Sequence, residues 1–146
     1  MTSIRLAEAF LGRARTRLQA LLALRTEAEF SDVVREARDI VDLCFRSMLR
    51  IMDVEVSRWR EAGEVLMENM RNLPPEVRAH EERLISIWHD LGQANECVLP
   101  DEEPPPSIQM NIADADSATS EAKWVLGMAE STVNIIGHRV PAAPMR

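Results

Sequence analysis

The chain has 146 residues, of which 46% are apolar, and its 24 acidic against 17 basic side chains give a net charge of −7. This length suits one domain with its own hydrophobic core and excludes a second full domain. The acid excess argues against a protein that coats nucleic acid, because affinity for phosphate comes from Lys and Arg. No uncharged run is long enough to span a membrane, and Arg5 and Glu8 interrupt the start before a signal-peptide core forms, so we expect a cytoplasmic protein with no membrane contact.

Five segments place apolar residues every three or four positions, and none shows sustained period-two alternation, which predicts an all-α fold. The predicted helices cover about residues 3–26, 31–52, 58–73, 75–98 and 115–136. The second has an apolar stripe wide enough to touch neighbours on two sides and is therefore predicted to be central. Pro74 and Pro75 end the third helix, and Pro75 suits the first turn of the fourth.

The last part of the chain combines a proline-rich connection with a final helix. From Pro100 to about Asp114, an Asp-Glu-Glu run precedes three consecutive prolines, which predicts an exposed acidic loop. Gly137 is predicted to end the fifth helix, and residues 137–146 are expected to be a disordered tail. Residues 1–136 are thus predicted to form a single antiparallel up-and-down four-helix bundle with an additional fifth helix after the acidic loop.

Several residues are predicted to have packing roles. Trp59 and Trp88 lie at core spacing on their helices, so we expect both to pack in the interior. Gly63 either weakens the third helix or admits a close neighbour. Cys44 and Cys97 are too few for a disulfide framework and lack CxxC spacing, so both are expected to be reduced thiols in apolar surroundings.

Two clusters contain residue types that are typical of binding sites. Arg13, Arg15 and Arg17 could face RNA phosphate, although a solvated helix face is the more frequent explanation of such a cluster. His80 and His89 are nine residues apart, about 180° round one helix, so they cannot share a metal there. We expect no metal site and no cofactor.

The stretch from Ala37 to Asn69 resembles the HEPN family of small helical-bundle proteins. The pieces that carry the resemblance are, in order, Ala37, Asp42 with Leu43, Arg46, residues 53–56, residues 57–66, and Glu68 with Asn69. In this resemblance Asp42 and Arg46 stand for the family's acid and base four residues apart, Asp53 for a turn glycine and Ser57 for a proline. Arg60 stands where these relatives usually carry histidine. The resemblance implies a homodimer, often paired with a small nucleotidyltransferase in a toxin–antitoxin arrangement.

The same resemblance implies where RNA cleavage would occur. The family's cleavage pattern is an Arg followed after four to six residues by a His, and Arg83 with His89 fits it. Such a His would take the proton from the ribose 2′-hydroxyl and such an Arg would stabilise the phosphorane. Six helical residues rotate by about 240°, so the two side chains lie about 120° apart on one helix and would meet only across a dimer. The family's Tyr-Gly pair at the end of this helix is replaced here by Ala-Asn-Glu-Cys at residues 94–97.

Three hypotheses follow. The first is a dimeric interaction or regulatory protein with a degenerate catalytic motif. Its contact surface would use the polar stripe of the predicted fourth helix and a group of methionines, namely Glu82, Ser86, His89, Gln93 and Glu96 with Met48, Met52, Met67 and Met70. The alternative is a metal-independent RNA endonuclease that uses Arg83 and His89. The third is nucleotide or RNA binding without cleavage, in which Arg60 meets phosphate at the start of the third helix.

Overall fold

The computed structural model describes residues 3–26, 30–96 and 112–139, and within these ranges the chain is helical with turns and contains no strand. The elements are α1 (Ser3–Thr26), α2 (Phe30–Ile51), α3 (Ala62–Glu68), a 3₁₀ turn (Met70–Asn72), α4 (Pro75–Arg78), α5 (Glu81–Glu96) and α6 (Ile112–Arg139). The prediction of an all-α fold is confirmed. No helix in the described ranges is long and apolar enough to cross a membrane.

Helix α2 is central, as its wide apolar stripe predicts. It packs against α1, α3, α5 and α6, while α1 and α6 also contact each other. Eleven of its apolar residues are buried, including Phe45, Met48 and Cys44, and they form one continuous core with the apolar faces of the neighbouring helices. Ser47 is also buried, and its hydroxyl donates a 2.9 Å hydrogen bond to the Ala7 carbonyl of α1. This bond joins α1 to α2, the pair of helices with the most extensive contact.

The end of α2 is closed by a left-handed residue. Asp53 has φ of 61° and is the one non-glycine residue with positive φ in the described chain. The Asp53 and Val54 amides donate to the carbonyls of Arg50 and Leu49, at 3.0 and 2.9 Å, which is the hydrogen-bond pattern of a Schellman motif. The Ser3 hydroxyl donates to the Asp53 carboxylate and so ties this turn to the start of α1.

The third and fourth predicted helices are each shorter than expected. The prediction that the third begins after Ser57 is wrong: the chain leaves the Asp53 turn without regular structure and becomes helical only at Ala62. The segment predicted as one fourth helix is two, because a turn at residues 79–80 separates α4 from α5.

The last helix is longer than predicted at both ends. It begins at Ile112, so the final three residues of the predicted acidic loop are helical, and it continues past Gly137 to Arg139. Gly137 therefore does not end the helix, and the prediction of a tail from residue 137 is wrong for its first three positions. Residues 97–111 and 140–146 lie outside the described residues.

Only one of the two tryptophans predicted to be internal is buried. The Trp88 side chain is 7% exposed, lies 5.5 Å from the Phe45 ring, and faces the backbone of Gly63. The glycine thus admits a close neighbour, which was one of its two interpretations. Trp59 is 83% exposed, and the prediction that it packs in the core is wrong because it precedes α3 instead of lying on that helix's buried face.

Candidate functional site

The structure gives Arg83 a partner on another helix. Its guanidinium carbon lies 4.0 Å from the centre of the Trp124 ring of α6, within cation–π range. The His80 ring meets the same indole edge-on, with ring centres 5.6 Å apart. Trp124 is thereby held from the α4–α5 side by two residues. Arg83 is placed to join α5 to α6.

Arg83 also offsets negative charge beside it. The pKa of Glu121 is raised, first because burial desolvates its carboxylate and then because Asp90 adds negative charge, while Arg83 acts in the opposite direction. A phosphate group approaching this side of α5 would therefore meet carboxylates as well as the one guanidinium. This charge arrangement is poorly suited to holding a polyanion.

His89, the second residue of the predicted pair, is exposed on α5. It lies six residues after Arg83 on this helix, which places the two side chains about 120° apart round the helix axis. Glu82 and Ser86, which share the predicted polar stripe, are exposed as well. A single chain does not bring the predicted base and cation together.

Arg60 is paired with a carboxylate. It is exposed, and its two terminal nitrogens donate to the carboxylate oxygens of Glu68 at 3.0 and 2.5 Å. The pairing raises the pKa of Arg60 and lowers the pKa of Glu68. Helix α3 begins at Ala62 and has Glu61 at its N-cap position. The Arg60 guanidinium lies beside Glu68, at the C-terminal end of this helix, and not at its N-terminus.

The arginine cluster of α1 is largely occupied by acidic partners. Arg15 pairs with Glu130 of α6 at 2.8 Å. Arg17 pairs with Glu36 of α2 at 2.6 Å and with a second carboxylate of that helix, Asp39, at 3.1 Å. These bonds favour the interpretation of a solvated helix face that packs against its neighbours.

The methionines predicted to supply contact surface mostly face the interior. Met48 and Met70 are buried, and Met52 and Met67 are partly buried against the core. The Met side chains therefore contribute to packing. The prediction that they provide an adaptable contact surface is wrong for the two buried ones.

Trp59 is the most exposed of the large apolar residues in the described ranges, and the sequence did not reveal this exposure. The guanidinium carbon of Arg58 lies 5.2 Å from the centre of its ring, and the rest of the indole faces solvent. The one sequence signal for its exposure is the pair of charged neighbours, Arg58 and Arg60, which are both exposed. Spacing alone could not separate it from a core position, because Trp59, Ala62 and Leu66 fit one helical face.

Neither a metal site nor a thiol nucleophile is formed in the described part of the chain. No group of three or more His, Cys, Asp or Glu side chains there could hold a metal ion. Burial raises the pKa of the Cys44 thiol to about 12, so it stays protonated and unreactive. Cys97 lies outside the described residues.

No family model, curated protein or solved structure matches the chain. The HEPN resemblance stays a prediction that depends on the residues between Ala37 and Asn69.

Proposed function

We propose that the chain is a HEPN-like interaction or regulatory protein of the cytoplasm that works as a dimer and does not cleave RNA. The antiparallel four-helix arrangement with an additional last helix is part of the same proposal. The observation that carries it is the exposure of Trp59, with 83% of the side chain in solvent. Fully burying a side chain of this size is worth about 1.5–3 kcal/mol or more, so an exposed tryptophan favours a partner that covers it.

The segment that presents Trp59 is held at both ends, which favours binding. Before it, the Asp53 turn closes α2, and Val56 is partly buried against the core. After it, Arg38 of α2 donates a 2.5 Å hydrogen bond to Glu61. A side chain on a fixed segment loses little conformational freedom when a partner covers it. Tryptophan and arginine are also the residues most enriched among those that dominate binding energy, and Arg58 lies over this indole.

Two features of the resemblance agree with the structure. Asp53 stands for a turn glycine and adopts the left-handed conformation that a glycine favours. Asp42 and Arg46 stand for the family's acid and base, and they form a 2.7 Å ion pair one turn apart on α2. Both features support the assignment of the proposal to a HEPN-like bundle.

The dimer is tested by mass in solution at micromolar concentration with light scattering. We expect a mass of two chains for the protein, and a shift towards one chain for Trp59→Ser. The matched control is Ile112→Ser, because Ile112 is also an exposed large apolar residue, at 57%, on a different element. A single-chain mass for the unmodified protein, or equal loss in both variants, would contradict a dimer built on Trp59.

The proposed heterologous partner is a small nucleotidyltransferase, which the resemblance implies. The neighbouring reading frame in the genome identifies the candidate. We expect the two purified proteins to co-elute, and we expect Trp59→Ser to leave that complex intact, because the Trp59 side chain is assigned to the dimer contact. A neighbouring frame of unrelated type, or purified proteins that elute separately, would remove this part of the proposal.

The alternative, a metal-independent RNA endonuclease, needs a second chain. Arg83 and His89 are both exposed on α5, so a two-fold axis could bring one Arg83 to the other chain's His89. Against this, Arg83 is stacked on Trp124 and would have to leave it. The test compares RNA cleavage without added metal, and growth on expression, for the protein and for His89→Ala. Cleavage that His89→Ala abolishes would establish the alternative; intact RNA and unimpaired growth would exclude it.

A further inference from the structure

A groove between α1 and α2 is lined by four arginines. It consists of two adjoining depressions of about 310 and 270 Å³ that share Phe10 and Arg46. The first is also lined by Arg13, Arg17, Asp39, Asp42 and Leu43, and the second by Leu6, Arg50, Val54, Glu55 and Val56. Each is near the lower end of the range for small-molecule pockets, about 300–1,000 Å³.

Three guanidinium groups of the groove have donors to spare. Arg46 and Arg50 lie one turn apart on α2, and Arg13 of α1 lines the first depression together with Arg46. Arg46 uses its Nε to bind Asp42. The carboxylate beside Arg50 is Glu55, at 3.8 Å, which is too far for a hydrogen bond, and the buried Nε of Arg50 has no acceptor. Leaving a buried charged donor without an acceptor is unfavourable, so the Arg50 side chain gains stability if it turns Nε towards an anion bound in the groove.

The second depression, which Arg46 and Arg50 line, also has an apolar wall. Leu6, Phe10, Val54 and Val56 all line the second depression, and the last three are partly buried against the core. A fully hydrated inorganic anion would leave this wall unused. The lining therefore fits a ligand with an anionic head and an apolar body.

We propose that this groove binds a phosphomonoester with an aromatic body. A dianionic phosphate has three terminal oxygens and can take hydrogen bonds from several guanidinium groups, whereas a carboxylate saturates one planar arginine fork. Binding displaces Glu55 from Arg50, which requires little because the Glu55 side chain is 86% exposed and not hydrogen-bonded to it. The aromatic body lies against Phe10 and its apolar neighbours.

The carboxylates around the groove argue for one phosphate group over a polynucleotide. Asp39 and Asp42 line the first depression, and Glu36 lies beside it in the ion pair with Arg17. A strand with a phosphate at every nucleotide would place several negative charges against these acids. A monoester brings one head to Arg46 and Arg50, where Asp42 is already paired with Arg46.

The test is calorimetric titration of the full chain with phenyl phosphate, inorganic phosphate and phenol. We expect phenyl phosphate to bind, inorganic phosphate to bind about tenfold more weakly, and phenol not to bind. Arg50→Gln should weaken phenyl phosphate by about ten- to a hundredfold, the range for loss of hydrogen bonds to a charged group. The matched control is Arg35→Gln, also on α2, whose arginine is paired with Asp32 outside the groove and which should change affinity by less than about twofold.

Four outcomes would overturn the proposal: no phenyl phosphate binding at millimolar concentration, equal binding of phenol, equal loss in Arg35→Gln, or binding of single-stranded RNA without binding of phenyl phosphate. Thermal melting shows whether Arg50→Gln folds. If it does not, Arg50→Lys replaces it, since lysine keeps the positive charge but lacks the planar fork of donors. Trp59 does not line the groove, so a negative result here leaves the proposed dimer untouched.

Discussion

Replacing Gly63 with alanine should destabilise the fold, although alanine is the better helix former. A Cβ atom at this position would lie 2.2 Å from Cε2 of Trp88 and 2.4 Å from both Cδ2 and Nε1 of the same ring. Carbon atoms in contact are normally about 3.5–4.0 Å apart, so the indole or α3 must move by more than about 1 Å. The indole has little freedom to do so, because Phe45 lies 5.5 Å from it and the guanidinium carbon of Arg38 lies 4.7 Å from its ring centre.

The magnitude follows from two opposing effects. Inserting a methyl group into a packed interior costs about 1–3 kcal/mol, and the overlap at Gly63 favours the upper part of that range. The gain from replacing glycine in a helix is about 0.5–1 kcal/mol, and it is reduced here because Gly63 lies in the first turn of α3. We expect a net loss of about 1–2 kcal/mol. At about 2–4 °C for each kcal/mol in a chain of this size, the melting temperature should fall by several degrees.

The assay is thermal and urea unfolding followed by circular dichroism. The matched control is Gly12→Ala in the interior of α1, where an added Cβ meets nothing within 4 Å. That variant should be more stable by about 0.5–1 kcal/mol, so the same substitution has opposite signs at the two positions. In the double variant Gly63→Ala with Trp88→Phe, the smaller ring should recover part of the loss. A Gly63→Ala protein as stable as Gly12→Ala would refute the close contact of glycine and indole.

Three further predictions concern single groups. Because the pKa of Glu121 is raised, the contribution of this carboxyl to stability is complete below its unfolded pKa of about 4.5 and is lost as the pH rises through the folded value. In urea unfolding, Glu121→Gln should therefore be more stable than the unmodified protein at pH 7 and equal to it at pH 3. Equal stability at both pH values would contradict this. In a Cys97→Ser background, Cys44 should react with a thiol reagent at pH 8 only after unfolding, and rapid reaction of the folded protein would contradict its pKa of about 12. Ser47→Ala should lower the unfolding free energy by about 0.5–1.5 kcal/mol through loss of the hydrogen bond to the Ala7 carbonyl, and an unchanged midpoint would refute that contribution.

The longest elements were predictable because their apolar pattern is uninterrupted. The predicted span of α1 agrees with the structure at both ends, and α2 begins and ends one residue earlier than predicted. The start of α3 was not predictable from spacing, because Trp59 lies three residues before Ala62 and satisfies the same period. The left-handed turn at Asp53 redirects the chain after α2, before α3 begins. The sequence carries no strong local signal for a positive φ at a non-glycine residue.

The candidate site was less predictable than the fold, because its contacts join residues that are far apart along the chain. Periodicity identifies which face of a helix is buried, and so it placed Trp88 correctly in the core. It carries no information on which distant side chain an exposed residue meets. Arg83 and Trp124 are 41 positions apart and their contact depends on how α5 and α6 cross. The pairing of Arg60 with Glu68 likewise depends on α3 being a short helix that Arg60 precedes.

The distribution of charge connects these results. The net charge of −7 comes from residues 84–122, which hold eight acidic and no basic residues, while residues 1–83 are nearly neutral and hold 14 of the 17 basic ones. His89 lies in the acidic part, and Arg83 at its border already serves to stack on Trp124 and to offset Glu121. A catalytic site for RNA on α5 would have to attract phosphate against this charge. The exposed Trp59 and the arginine groove both belong to the nearly neutral part, where the proposed partners would meet less excess negative charge.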